Sequence, residues 1–233
     1  MSTTGKGKPM VVAIDGPAGS GKSTIAKRVA ETTGFGYLDS GLLYRGIAKG
    51  VLESGKDSED PVVVVEIASQ CRFEMPANDL LLNGRPLTEI HTDRIDRWSA
   101  IHSRIIEVRH MVNSQIRSLA GGSDIIVMGR DIGTIVFPDA ELKIFLDASI
   151  EARAARRYRQ GSSELNEQEI RQEIEQRDSI DREKPFGRLV QAPDALYIDT
   201  SDLTIDEVCD RVIREILIAL REINRELNTG NDL

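Results

Sequence analysis

Aromatic side chains make up only 4% of this 233-residue chain. That leaves no stacking platform for single-stranded nucleic acid. Net positive charge is also missing. The 30 Lys and Arg residues stand against 38 Asp and Glu, a formal charge of −8. This argues against non-specific binding to DNA, RNA or an anionic membrane. A small anionic ligand stays open, because local arginines can reverse the field inside one cleft. Cysteine is scarce: Cys71 and Cys209 lie far apart, without metal-ligand spacing. They read as two reduced, partly buried thiols, with a disulfide left open. No apolar run is long enough to span a bilayer. The start, MSTTGKGKP, lacks the apolar stretch of a secretory signal and reads as a flexible tail over residues 1–9. A cytoplasmic protein is expected.

What is present is an alternation of short apolar runs and helical patterns. Val11 to Ile14, Gly36 to Leu38, Asp124 to Met128, Leu142 to Leu146 and Ala195 to Ile198 read as strands, mostly buried and parallel. Helices are predicted over 23–34, 41–52, 60–69, 105–119, 151–160, 166–181 and 205–227. Asp39 or Ser40 caps the second of these. Asn83-Gly84, between short apolar runs, signals a type I′ hairpin and a small antiparallel insertion. The fold class is α/β: a parallel sheet flanked by helices on both faces. Residues 10–233 form one domain, with the insertion at about 60–103.

The densest signal is GPAGSGKST, made of Gly16, Pro17, Ala18, Gly19, Ser20, Gly21, Lys22, Ser23 and Thr24. It fits the P-loop pattern, and it sits between a predicted strand and a predicted helix, as that pattern requires. The glycines let backbone N–H groups wrap a phosphate, and the helix N-terminus adds a positive dipole end. Lys22 can reach the β and γ phosphates, and the Ser23 hydroxyl can bind Mg²⁺. The loop implies ATP or a similar triphosphate, but names no reaction.

Three later stretches narrow it: YLDSGLLYR from Tyr37, GRDIGTIVFPDAELKIFLDAS from Gly129, and RDSIDREKP from Arg177. Together with the P-loop they resemble the bacterial-type cytidylate kinases, a branch of the nucleoside monophosphate kinases. The resemblance runs from Ile14 to about Thr200. It implies a P-loop kinase fold whose antiparallel insertion binds the monophosphate, and a short helical lid at about 153–170. It implies phosphoryl transfer from ATP, with Mg²⁺, to CMP or dCMP, by a monomer with no nucleic-acid or membrane partner.

By the same resemblance, Ser40, Tyr44, Arg45, Arg109, Arg130, Asp131, Arg177, Asp181 and Lys184 bind CMP. Guanidinium forks suit phosphate oxygens. A carboxylate at Asp131 suits the cytosine amino donor, and Arg109 suits its acceptors. Read from the residues alone, Ser40 could merely cap a helix. Arg177 and Asp181, at i and i+4, could pair on a solvated face. Asp131 could be a Mg²⁺ ligand. Lys22, Arg130 and the lid arginines Arg153 and Arg157 are the expected catalytic cations, and Gly161-Ser162-Ser163 the expected hinge or tip of the lid. Lys184 stands where the family has an arginine, so Lys184, Arg182 or Arg188 fills that role. Ala100 stands where the family has a base-site serine, with Ser99 beside it. The rivals are a kinase with another acceptor (UMP, AMP or a small metabolite) and a nucleotide-dependent switch. No guanine-reading Asn-Lys-x-Asp motif supports the switch.

Overall fold

The apolar run Val11–Asp15 forms β1 at the centre of the sheet, with Val12, Ala13 and Ile14 wholly shielded from solvent. The glycine-rich loop turns it into α1 (Lys22–Thr33), which stops at Gly34 in the left-handed conformation. The structure is a computed structural model that describes residues 9–161 and 165–229. The expected lid tip at Ser162-Ser163 therefore lies outside the described residues, as does the tail up to Lys8.

β2 (Gly36–Asp39) leads into α2 (Ser40–Glu53). Asp39 is the cap, accepting the Gly41 N–H at 2.8 Å, and Ser40 is inside the first turn. α3 (Pro61–Gln70) is helical despite its valine run, started by the Asp60 carboxylate and Pro61. Next comes a three-stranded antiparallel sheet of β3 (Phe73–Glu74), β4 (Leu81–Leu82) and β5 (Arg85–Pro86). Asn83 and Gly84 join the last two, both at positive φ (51° and 73°), as the type I′ signal requires.

α4 (Asp93–His102) was not expected from the sequence pattern. Its signals are a Thr92 cap, Asp93 and Asp96 in the first turn, and a buried stripe at Ile95, Ser99 and His102. α5 (Ile106–Ala120) and β6 (Ile125–Gly129) follow. Asp124 precedes β6, and its carboxylate accepts the Met10 N–H at 2.8 Å. A single π-helical turn follows at 132–136, a stretch to which the sequence pattern assigned no element. It is set by Asp15, whose two carboxylate oxygens take the N–H groups of Ile132 and Gly133 at 2.9 and 2.8 Å. The chain continues through β7 (Leu142–Asp147), α6 (Ile150–Arg159), α7 (Glu167–Glu183), β8 (Leu196–Asp199) and α8 (Ile205–Thr229).

The five main strands are all parallel, in the order β2-β6-β1-β7-β8. One face is packed by residues of α1 and α8, the other by residues of α2, α3, α5 and the π-turn. Each wholly buried Ile or Val contributes about 1.5–3 kcal/mol. This topology gathers the C-terminal ends of β1, β2 and β6 at one rim. Crevices at that rim are where open α/β sheets bind ligands. Among the described residues, no helix is long and apolar enough to cross a membrane.

Candidate active site

The donor side is the loop itself. Lys22 is buried at the start of α1, and its ammonium donates to the Pro17 carbonyl at 2.6 Å and to the Ser20 hydroxyl at 3.3 Å. Burial, then the nearby charge of Arg130, pushes the Lys22 pKa well down. A bound anion would reverse that pressure. Ser23 and Thr24 lie exposed on the first turn. Thr200, past β8, ties the loop down by donating to the Ser20 carbonyl at 3.1 Å.

Arg153 is not a solvated lid cation. Its side chain is 2% exposed and reaches from α6 under the P-loop. Nε donates to the Ala148 carbonyl at 3.0 Å and Nη1 to the Ala18 carbonyl at 3.1 Å. Nη2 meets the buried Asp178 carboxylate of α7 at 2.7 Å. Arg157, one turn on, is more open. It faces Glu173 at 3.4 Å and Asp93 of α4 at 3.9 Å.

The residues expected on the acceptor side come together from five separate segments. A cavity of about 70 Å³ at the sheet rim is lined by Ser40 and Tyr44 of α2, Ser99 of α4, Arg109 of α5, Arg130 and Asp131 after β6, and Arg177, Asp181 and Lys184 from α7 and its end. Arg177, Asp181 and Lys184 fall at i, i+4 and i+7, one helical stripe. Arg130 crosses from β6 to α7 and donates to Asp181 at 2.9 Å, and Lys184 donates to the other Asp181 oxygen at 2.6 Å. Burial alone would raise the Asp181 pKa. Arg130, Lys184 and Arg177 outweigh it and hold the carboxyl well below the usual range. Asp181 is thus the buried anchor of a cationic cluster, and does not pair with Arg177 on a wet face.

Of the three cations near the end of α7, Lys184 is buried in the cavity wall. Arg182 and Arg188 are exposed. Asp131 is buried and paired with Arg109, so it is not left free as a metal ligand. The Arg109 guanidinium lies between the rings of Tyr44 and Phe186, 5.7 and 5.9 Å from their centroids. Burial disfavours its charge, but the Asp131 carboxylate paired with it helps hold it cationic. Gly187, at φ +67°, backs the same guanidinium, and a Cβ there would collide with it. Ser40 is pressed against Gly129, where a Cβ would come within 2.5 Å of its hydroxyl oxygen. Arg45 lies just outside the cavity and is tied to Asp96 of α4 at 2.7 Å.

Sequence reasoning gave no role to Asp96, Ser103, Asp178, Phe186 or Gly187, and named Ser99 only as the neighbour of Ala100. Ser99 and Ser103 line the cavity with Ala100 between them, and their hydroxyls donate to the Asp96 and Ala100 carbonyls. The helical stripe of α4 was the signal that could have found Ser99. Nothing local marks Asp178 or Gly187, whose partners lie far off in sequence.

A family model described as "Cytidylate kinase" matches residues 12–217. The cytidylate kinase of Alkaliphilus oremlandii is 41% identical over 206 residues, covering 87% of this chain and 95% of that protein. That of Borrelia turicatae is 40% identical over 222 residues, covering 93% and 100%. Among solved structures, a shikimate kinase from Bacteroides thetaiotaomicron aligns with a TM-score of 0.47 at 14% identity, covering 89% of this chain and 98% of that one. With the family model spanning most of its length and relatives of about 40% identity covering nearly all of it, the chain belongs to the cytidylate kinase family.

Proposed function

We propose that the protein transfers the γ-phosphoryl group of ATP to CMP or dCMP, giving ADP and CDP or dCDP. The observation that carries this is the cavity in which the Arg109–Asp131 pair adjoins the Arg130, Arg177 and Lys184 cluster, across from Lys22 of the P-loop. The pair offers a donor and an acceptor to a cytosine edge. The cluster offers three cations to the monophosphate. Asp181, between Arg130 and Lys184, also has the chemistry to accept ribose hydroxyls.

The cavity is far smaller than the 300–1,000 Å³ usual for ligand sites. Binding therefore requires the insertion of about 60–103, and the lid of about 153–170, to move apart and close again. The attacking group is a phosphate oxygen, ionised near neutral pH, so no strong general base is required. Catalysis is positioning and charge neutralisation by Lys22, Arg130 and Arg157, with Arg153 holding the loop. The Ser23 hydroxyl, exposed on the first turn of α1, suits a Mg²⁺ ion bound to the ATP phosphates, and Asp39, whose charge acts on the neighbouring Lys22, is the acid closest to that role. Asp15 does not suit it, because both its oxygens are engaged by backbone N–H groups. When bound, Mg²⁺ neutralises charge on the transferring phosphoryl group. The same reading has the protein acting as a monomer in the cytoplasm.

The test is ADP release from ATP and Mg²⁺ with CMP, dCMP, UMP, AMP or no acceptor. Turnover with CMP and dCMP, well above UMP and AMP, is expected. Equal turnover with UMP would defeat the base-edge argument, and acceptor-independent ADP release would favour the switch. Asp131→Asn should then erode the preference for CMP over UMP by roughly 10- to 100-fold.

A further inference from the structure

The first turn of α4 carries two acids that the reaction does not require, and both face arginines that it does. Asp93 lies 3.9 Å from Arg157 of the lid helix. Asp96 sits between two arginines expected to hold the acceptor phosphate. Its Oδ1 accepts from Arg45 Nε at 2.7 Å, and its Oδ2 is 3.9 Å from Arg177 Nη1. The three side chains are each about one-fifth exposed, so the contact is neither bulk-solvated nor sealed. Arg177 needs a counter-charge: burial and the charge of Arg130 both oppose its ionised form, and its buried Nε has no hydrogen-bond partner. Asp96 is held in place as the fourth residue after the Thr92 cap, its N–H donating to the Thr92 carbonyl at 2.9 Å. The carboxylate therefore comes from a stiff turn of the insertion.

We propose that Asp96 is a built-in counter-ion for the acceptor-phosphate clamp, one that incoming CMP must displace. A carboxylate and a phosphate offer an arginine fork the same oxygen edge. With Asp96 in place, Arg45 and Arg177 are already partly neutralised, and a phosphate dianion entering between them meets a like charge. Displacing the carboxylate removes the ion-pair tie of α4 to α2 and α7, which couples acceptor binding to the motion of the insertion. Asp96 is thus a residue that sets acceptor affinity through the two arginines. This rests on the reading of Arg45 and Arg177 as phosphate contacts.

The test is equilibrium binding of CMP and of cytidine, which lacks the phosphate, to the wild type and to Asp96→Asn. The substitution keeps the side chain's shape in a half-exposed first turn. CMP should bind about three- to tenfold more tightly to the variant, with cytidine unchanged. Weaker or unchanged CMP binding would overturn the proposal. So would an equal change for cytidine, because that effect would not pass through the phosphate. Failure of the cytosine assignment looks different: inorganic phosphate would still bind more tightly to the variant while cytidine bound to neither protein.

Discussion

The proposed donor and acceptor halves of this site are built in opposite ways. The donor half is one uninterrupted stretch, Gly16 to Thr24, whose main chain and one lysine provide most of the binding groups. The acceptor half is collected from α2, α4, α5, the end of β6 and α7, and consists almost entirely of side-chain charge. A phosphate held by backbone N–H groups requires only a turn and a helix start. A nucleoside monophosphate requires charges placed around a base, a sugar and a phosphate, and no single segment can surround all three. The donor half is therefore portable between reactions, and the acceptor half is what makes the reaction specific.

The sharpest way to break this contrast is at Lys22, the one side-chain charge of the donor half. Lys22→Ala should lower kcat by roughly 10³-fold while acceptor binding stays within a few-fold. Comparable loss of CMP affinity would mean that the halves are not separable. The seam between them is the buried Arg153–Asp178 pair, which joins the P-loop carbonyl of Ala18 to α7. Asp178→Ala leaves Arg153 buried without its counter-charge and should cost about 3–5 kcal/mol in denaturant unfolding. Arg153→Met combined with Asp178→Leu should recover most of that stability and still bind ATP less tightly. Full recovery of both would assign the pair to stability alone.

A second seam is Asp15, between the P-loop and the turn that follows Arg130 and Asp131. Burial, opposed by the Ile132 and Gly133 N–H groups, moves its pKa up to about 6 from 3.8. The folded pKa is above the unfolded one, so the fold favours the protonated form. That stability is fully present below about pH 3.8 and is lost as pH rises through about 6, worth about 3 kcal/mol. Asp181 has the opposite sign: its contribution is present above about pH 4 and is lost on acidification. In thermal melts from pH 4 to 7, the stability of Asp15→Asn should gain on wild type by up to about that amount. A difference that stays flat with pH would contradict the burial argument.

The smallest change refines the acceptor half. Lys184→Arg replaces a point charge with a fork next to Asp181 and should lower KM for CMP by a few-fold at nearly constant kcat. A rise in KM would show that the buried pocket beside Asp181 has room only for the ammonium.

The parts legible from the sequence are those that depend on neighbours along the chain. The strand, glycine loop and helix start around Lys22 follow from local backbone rules, and so does the turn at Asn83-Gly84. The alternation of buried strands with helices required a parallel, two-faced sheet. Family resemblance brought Arg109, Asp131, Arg177, Asp181 and Lys184 together as a set, but spacing alone did not. Tertiary structure decided what each charge faces. Arg153 reads as a lid cation on a charged helix, yet it is buried under the P-loop because Asp178, 25 positions on in the sequence, neutralises it there. Lys184, rather than Arg182 or Arg188, enters the cavity because it continues the buried stripe of α7. Asp96 meets Arg45 and Arg177 only because α4 packs against α2 and α7. The physical reason is common to all three. Backbone preferences act over a few residues, whereas the sign and strength of a buried charge are set by whichever groups the fold brings within a few ångströms.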